Sequence, residues 1–182
     1  MSDSLPPASP PGPDLFLVVL GGRLKGAHIE LHDVRFVAGR TIDDTLPELR
    51  RQWFGERRSL HLDSWLRLGG VDGYRIELRR EPFEGPERLW FVNMGAYDPE
   101  QLAEQHAFGV FVATSPQSAR AAARRRLLIG LQERHKDDLH EVKVEAVSGP
   151  DGDGTPVRWA VHLLPGGEAQ PQRPDWFGYR PI

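Results

Sequence analysis

The sequence repeats itself at a spacing of 74 residues, and this duplication restricts the chain to folds built from two similar units. Between residues 15 and 32, five positions are identical to the residues 74 places further along. The repeat continues with small insertions, so residues 15–78 and 89–163 are predicted to share one order of elements. The identical pairs are Leu15/Leu89, Val18/Val92, Gly21/Gly95, Glu30/Glu104 and His32/His106.

Each unit is predicted to run strand, loop, strand, helix, hairpin. The apolar run LFLVVL at residues 15–20 is typical of a strand buried on both faces, and the run at 34–38 matches that at 109–113. Thr45 is predicted to cap the first helix, and Ser115 followed by proline the second. The hairpins are predicted around two Asp-Gly pairs, Asp72-Gly73 and Asp151-Gly152, with His61 aligned to His140 at a spacing of 79.

We therefore predict an α+β fold, an internal duplication with two small, mostly antiparallel sheets related by a pseudo-twofold axis. Its parts are predicted as a disordered Pro/Ser-rich tail at 1–13, a first repeat at 14–80, a connector at 81–88, a second repeat at 89–164 and a C-terminal Pro/aromatic extension at 165–182 that docks on the body.

The composition narrows the class of protein. The chain has no cysteine, which excludes thiol catalysis and cysteine metal sites and fits a reducing, cytoplasmic compartment. Residues 1–13 lack the basic and apolar segments of a signal peptide, and no apolar run approaches the length of a membrane span. The net charge of -3 disfavours nucleic acid as a partner. The cluster Arg124-Arg125-Arg126 is predicted to be a solvated helix end.

Several motifs together resemble one bacterial family. They are LFLVVLGGRLKGAHIELHDVRFVAG, its echo LWFVNMGAYDPEQLAEQHAFGVFVA, the hairpin VDGYRIEL and the ending PDWFGYRPI. The chain resembles members of Domain of Unknown Function 1543, whose domain occurs in one or two copies. The resemblance implies a cytoplasmic protein of undescribed activity and assigns no catalytic residue.

The motif Glu-x-His, present as Glu30/His32 and as Glu104/His106, is the main candidate for a site. If residues 27–34 continued a strand, His28, Glu30 and His32 would project from one face and could hold a divalent metal. The second copy has no counterpart of His28, and its segment 98–101 is typical of a helix start, which would separate Glu104 from His106.

Two interpretations of these residues remain open at the level of sequence. In the first, the motifs and the glycines of the preceding loops, Gly21, Gly22 and Gly95, bind a small ligand or partner. In the second, each carboxylate only holds its histidine or a loop amide in place. A phosphate-binding loop at Gly21-Gly22 is disfavoured, because the second copy lacks the cations Arg23 and Lys25.

The function predicted from the sequence is a non-enzymatic module that binds a small ligand or partner near the glycine loops and the Glu-x-His motifs. The alternative is a small metal-assisted hydrolase that uses the same glutamates and histidines. Binding is favoured because the sequence carries no nucleophile elbow, HExxH or other established catalytic motif.

Overall fold

Eleven strands and two α-helices form within residues 12–146 and 157–182, the part of the chain that the computed structural model describes. Both halves have the same order of elements. The first contains β1 (Asp14–Gly22), β2 (Leu31–Gly39), α1 (Ile42–Gln52), β3 (His61–Arg67), β4 (Gly70–Val71) and β5 (Tyr74–Arg79). The second contains β6 (Arg88–Tyr97), β7 (Gln105–Ala113), α2 (Pro116–Arg126), β8 (Gln132–Glu141), β9 (Val144–Ala146) and β10 (Val157–Pro165), and β11 (Trp176–Pro181) follows.

The strands form three antiparallel sheets, one more than predicted. The first has the order β11-β3-β1-β2, the second β7-β6-β8, and the third β4-β5-β10-β9. The third sheet joins the halves through the pairing of β5 with β10. The sequence does not reveal this sheet, because the Asp72-Gly73 turn predicts a hairpin of β3 and β5, whereas β3 pairs with β1 in the first sheet.

The Asp72-Gly73 turn is confirmed, but it connects β4 to β5. Both residues have positive φ, 51° and 85°, as a two-residue hairpin turn of this sequence requires. The predicted turn around Asp151-Gly152 lies outside the described residues, as do residues 1–11 of the predicted tail.

The central strand of each half is buried on both faces, as its continuous apolar run predicted. On β1, Leu15 and Leu17 pack in a core to which both halves contribute. Phe16, Val18 and Leu20 point to the other face and pack with residues of α1. The second half repeats this division on β6. There Leu89 and Phe91 enter the shared core, while Val92 and Met94 pack with Ala119, Ala122 and Ala123 of α2.

The first helix begins earlier than predicted. Its N-cap is Thr41, and the Asp44 carboxylate accepts hydrogen bonds from the backbone N–H groups of Thr41 and Arg40. The bond from Thr41 is the largest influence that lowers the pKa of Asp44. Thr45 is buried inside the helix and donates to the carbonyl of Ile42, so the predicted cap at Thr45 is wrong. In α2, Ser115 is the cap, as predicted.

The last strand, β11, extends the first sheet at the edge of β3. Trp176 packs against the core beneath α1, whereas Phe177 and Tyr179 are largely exposed. Within the described residues, no helix has the length and apolar character needed to cross a membrane.

Asp72 ties the turn of the first half to the second half. Its carboxylate accepts from the backbone N–H of Val112 at 3.0 Å and forms an ion pair with Arg126 at 2.5 Å. Arg126 also lies over the ring of Phe111. This arginine of the predicted solvated cluster therefore takes part in the contact between the halves.

We predict that Asp72→Ala destabilises the protein by about 1 to 3 kcal/mol, because it leaves the Val112 N–H without its acceptor. Asp72→Asn is the matched control, since asparagine keeps an acceptor oxygen and tolerates positive φ. Urea unfolding measures both. An equal loss in the two variants would contradict this role for the acceptor.

Candidate functional site

Each half gathers two histidines and two carboxylates over a glycine near the end of its central strand. We call the groups the first quartet (Glu30, His32, His61 and Asp63) and the second quartet (Glu104, His106, His135 and Asp137). Every member of the second quartet lies 74 residues after its counterpart in the first.

Strand pairing brings the histidines together. Gly21 of β1 lies opposite His32 on one neighbouring strand and opposite His61 on the other. Gly95 of β6 likewise lies between His106 and His135. Residues paired across a sheet project from the same face, so both histidines of each quartet point to the side of the glycine.

The glycine is required for space. A Cβ on Gly21 would lie 2.8 Å from Cε1 of His61 and 2.9 Å from Oδ2 of Asp63. A Cβ on Gly95 would lie 2.8 Å from Oδ2 of Asp137. These glycines are therefore strand residues beneath the quartets. The predicted glycine loop was misplaced by a few residues, because Gly22 still belongs to β1 and abuts Trp53.

A β-bulge places the aspartate of each quartet. On β3, Ser64 pairs with Val19 and Leu62 with Leu20, which leaves Asp63 as the extra residue. On β8 the same irregularity leaves out Asp137. Bulges are common beside functional sites because they redirect a side chain. Their recurrence in both halves indicates that the direction of this aspartate matters.

A backbone carbonyl fixes the tautomer of one histidine in each quartet. Nδ1 of His61 lies 2.8 Å from the carbonyl oxygen of Ser59, and Nδ1 of His135 lies 2.9 Å from that of Glu133. A carbonyl oxygen can only accept, so Nδ1 must carry the proton. In the neutral ring, Nε2 then presents a lone pair.

That Nε2 lone pair faces two carboxylates in each quartet. Nε2 of His61 lies 3.2 Å from Oδ1 of Asp63 and 3.8 Å from Oε1 of Glu30. Nε2 of His135 lies 3.0 Å from Oδ1 of Asp137 and 2.8 Å from Oε1 of Glu104. Acceptors at these distances repel one another unless a cation lies between them.

The second histidine of each quartet, His32 or His106, contacts the same aspartate from the other side. Nε2 of His32 lies 3.3 Å from Oδ2 of Asp63. Nδ1 of His106 lies 3.0 Å from Oδ2 of Asp137, and its Nε2 lies 3.6 Å from Oε2 of Glu104. Both rings are about half-exposed, so they form the solvent side of their quartets.

Each quartet contains a buried carboxylate oxygen that accepts no hydrogen bond from the described residues. These atoms are Oδ2 of Asp63, which lies 3.3 Å from Nε2 of His32 without an assigned hydrogen bond, and Oε1 of Glu104. Oε1 of Glu104 is in contact with Nε2 of His135, but a neutral ring whose Nδ1 carries the proton has no hydrogen to donate there. Buried carboxylate oxygens need a partner, and a proton on the histidine or a metal ion would supply it.

The second quartet favours positive charge. The hydrogen bond to the Glu133 carbonyl raises the pKa of His135, and the carboxylates of Asp137 and Glu104 add to this increase. Burial acts in the opposite direction and is the second-largest influence. The site thus attracts a cation, either the proton or a metal.

The two Glu-x-His motifs contact different partners, and their histidines lie on different sheets, His32 on β2 and His106 on β7. The sequence predicted a single site near the pseudo-twofold axis, whereas the structure has one cluster in each half. His28 lies on the loop before β2, so the predicted alternation of His28, Glu30 and His32 along one strand is wrong. The predicted helix at 98–101 is a turn closed by Gln101 and Asp98, and β7 begins at Gln105.

Sequence reasoning missed His135, Asp63 and Asp137. The spacing of 74 residues could have found them, because His61 and Asp63 map onto His135 and Asp137 without a gap. The predicted match of His61 with His140 is wrong, because His140 lies opposite Phe91 as Leu66 lies opposite Leu17. Burial lowers the pKa of His140, against the carboxylates of Asp138 and Asp33.

The fold and the quartets define a class: a duplicated α+β protein with one histidine–carboxylate cluster in each half. The model of the family described as Domain of Unknown Function (DUF1543) matches residues 27–78 and 101–146, more than half of the chain. The chain belongs to this family, as its sequence motifs predicted. Each matched segment contains one complete quartet.

A solved structure covers nearly the whole chain. The chain is similar to the crystal structure of a protein, Il1583, from Idiomarina loihiensis, with 40% sequence identity and a TM-score of 0.68. The similarity covers 92% of this chain and 96% of that one. No curated protein matches the chain.

We predict that Gly95→Ala disrupts the second quartet, because the added Cβ would overlap Glu104 and press on Asp137 and His135. The loss of stability should fall in the range of 1 to 3 kcal/mol that overpacking typically costs. Gly69→Ala is the control, since the nearest atom to its added Cβ is 3.5 Å away, on Gln170. Thermal unfolding of both variants measures this, and equal stability would contradict close packing under the quartet.

Proposed function

We propose that the protein binds divalent transition-metal ions at its two quartets. The observation that carries this proposal is the placement of His61 and His135: Nδ1 of each ring contacts a backbone carbonyl, and Nε2 faces two carboxylates. Metal-ligating histidines commonly donate their other N–H to a backbone carbonyl, which is the arrangement found here.

The spacing of the donor atoms suits a small ion. Donor atoms about 2.1 Å from a tetrahedral ion lie about 3.4 Å from one another. One donor atom each of Glu104, His106 and Asp137 lies within 4.8 Å of the other two. In the first quartet, the pairwise contacts of 3.2, 3.3 and 3.8 Å lie close to that spacing, but no three of its donor atoms converge as those of the second quartet do.

The charge and the chemistry of the donors support the same class of ion. Two carboxylates in each quartet neutralise the charge of a divalent ion, so the buried oxygens gain a partner without leaving net charge behind. Imidazole nitrogen with carboxylate oxygen suits zinc and its neighbours among the transition metals better than magnesium or calcium.

The duplication supplies a second argument for function. The repeat-equivalent strands β5 and β10 pair antiparallel, with Leu78 opposite Val161 and Ile76 opposite Leu163. An axis between these strands would relate the halves, and we include this pseudo-twofold axis in the proposal.

Both halves keep all four quartet residues, although most other positions have diverged.

Metal-assisted hydrolysis is the second candidate, because three of the donors in the second quartet can share an ion. Catalytic zinc sites commonly have three protein ligands and leave a position for water. Nε2 of His135 lies 2.8 Å from Glu104 and could take a proton from such a water. Zinc-dependent hydrolysis of p-nitrophenyl acetate or phosphate that His135→Gln abolishes would support this function, and equal rates in the variant would reject it.

We predict that Zn²⁺ raises the melting temperature at pH 7.5. A ligand at 100 times its dissociation constant stabilises the folded state by about 2.7 kcal/mol per site. The double variant His32→Ala, His106→Ala should lose this increase, because it removes one donor from each quartet. His28→Ala is the control, since that histidine belongs to neither quartet. Mn²⁺ and Ni²⁺ should be tested alongside zinc.

If none of the three ions raises the melting temperature of the wild type, the metal proposal fails. The quartets would then be structural clusters in which histidines and carboxylates hold one another in place. In that case, a lower stability of the double variant without any metal effect would measure their structural role.

The pH dependence follows from competition between the metal and the proton. A metal ligand must be deprotonated, so the stabilisation by Zn²⁺ should fall as the pH is lowered. Because the pKa of His135 is raised, the stabilisation by Zn²⁺ at the second quartet should begin to fall at a pH above the ordinary histidine pKa of about 6.5. Calorimetry on the two single variants, His32→Ala and His106→Ala, measures Zn²⁺ binding at each quartet separately. Metal binding that is independent of pH between 8 and 5.5 would contradict coordination by histidine.

A further inference from the structure

The two quartets differ most in the histidine whose tautomer is fixed. The side chain of His61 is 1% exposed, whereas that of His135 is 41% exposed. The other members are similar in both halves: His32 and His106 are 54% and 49% exposed. The difference therefore lies on one side of the quartets, at β3 and β8.

The C-terminal strand covers the first quartet on that side. Pro181 of β11 pairs with His61, and the ring of Tyr179 lies 4.2 Å from the ring of His61. The chain provides no such cover for the second quartet within the described residues, because β8 forms the outer edge of its sheet. There, the ring of Tyr97 stacks on His135 at 5.9 Å, and His135 keeps an exposed side.

The cover affects how a bound ion can leave. An ion is released stepwise, and release is complete only when the last ligand moves away. His61 cannot swing out, because it is held by the Ser59 carbonyl on one side and packed beneath Tyr179 on the other. His135 makes the same hydrogen bond to a backbone carbonyl, but one side of its ring is exposed to solvent. An incoming donor can therefore replace His135 at the metal.

We propose that the protein combines a closed, slowly exchanging metal centre in the first half with an open, exchangeable one in the second. This inference rests on the proposed metal binding and adds a division of roles. The closed centre holds its ion, and the open centre exchanges its ion or accepts a further oxygen or nitrogen donor. Tyr179 is the positioning residue that keeps the first centre closed.

Two variants isolate the centres within the full-length chain. His106→Ala retains the first quartet intact, and His32→Ala retains the second. Each is loaded with Zn²⁺, and release to the chelator 4-(2-pyridylazo)resorcinol is followed by its absorbance. We expect release from the second centre to be about tenfold faster or more, in line with the effect of groups that surround metal ligands. Wild type should release two ions in two phases.

Tyr179 is then tested in the His106→Ala background. Tyr179→Ala should accelerate release from the first centre, and Tyr179→Phe should leave it slow, because phenylalanine keeps the ring over His61. Tyr179 is itself 69% exposed, so its replacement spares the core. In the His32→Ala background, Tyr179→Ala should have no effect.

The outcomes separate the two proposals. If neither isolating variant nor the wild type binds Zn²⁺, metal binding fails, and the division of roles fails with it. If both centres bind Zn²⁺ and release it at equal rates, or if Tyr179→Ala changes nothing, metal binding stands and the division of roles is overturned.

Discussion

The central strands β1 and β6 are buried on both faces, so each needs a layer of apolar side chains on either side. Alternate residues of β1 face α1 on one side and the other half of the chain on the other side. A single unit can cover only one of these faces with its helix, so the second unit is needed to cover the other. In this chain the second half provides that cover, and each half carries its own quartet at the end of such a strand.

The site depends on how this strand ends. Near the end of the apolar run, Gly21 and Gly95 replace a side chain with space, and the neighbouring strands fill that space with polar groups. A hydrogen bond to a backbone carbonyl places the proton of one histidine on Nδ1, and a bulge directs an aspartate towards that histidine. The glycine, the polar groups of the neighbouring strands, the hydrogen bond to a carbonyl and the bulge therefore all shape the same quartet. Each of them recurs in the second half at the same spacing.

The sequence predicted much of the fold and about half of each site. Strand burial, the α2 cap and the Asp72-Gly73 turn are local features, so they could be identified from short segments. The third sheet could not be identified in this way, because the pairing of β5 with β10 joins residues more than eighty positions apart. His61 and Asp63 were separated from Glu30 and His32 for the same reason. Only strand register brings these residues together, and the repeat spacing was the one signal of it in the sequence.

Anomalous diffraction would show whether each quartet holds a divalent ion. Crystals grown with Zn²⁺ and measured on both sides of the zinc absorption edge would locate the ions without reference to activity. We expect two peaks per chain, each about 2.0 to 2.2 Å from a histidine nitrogen and from the carboxylate oxygens of its quartet. A map without a peak at either quartet, or with peaks only elsewhere on the surface, would contradict metal binding at the quartets.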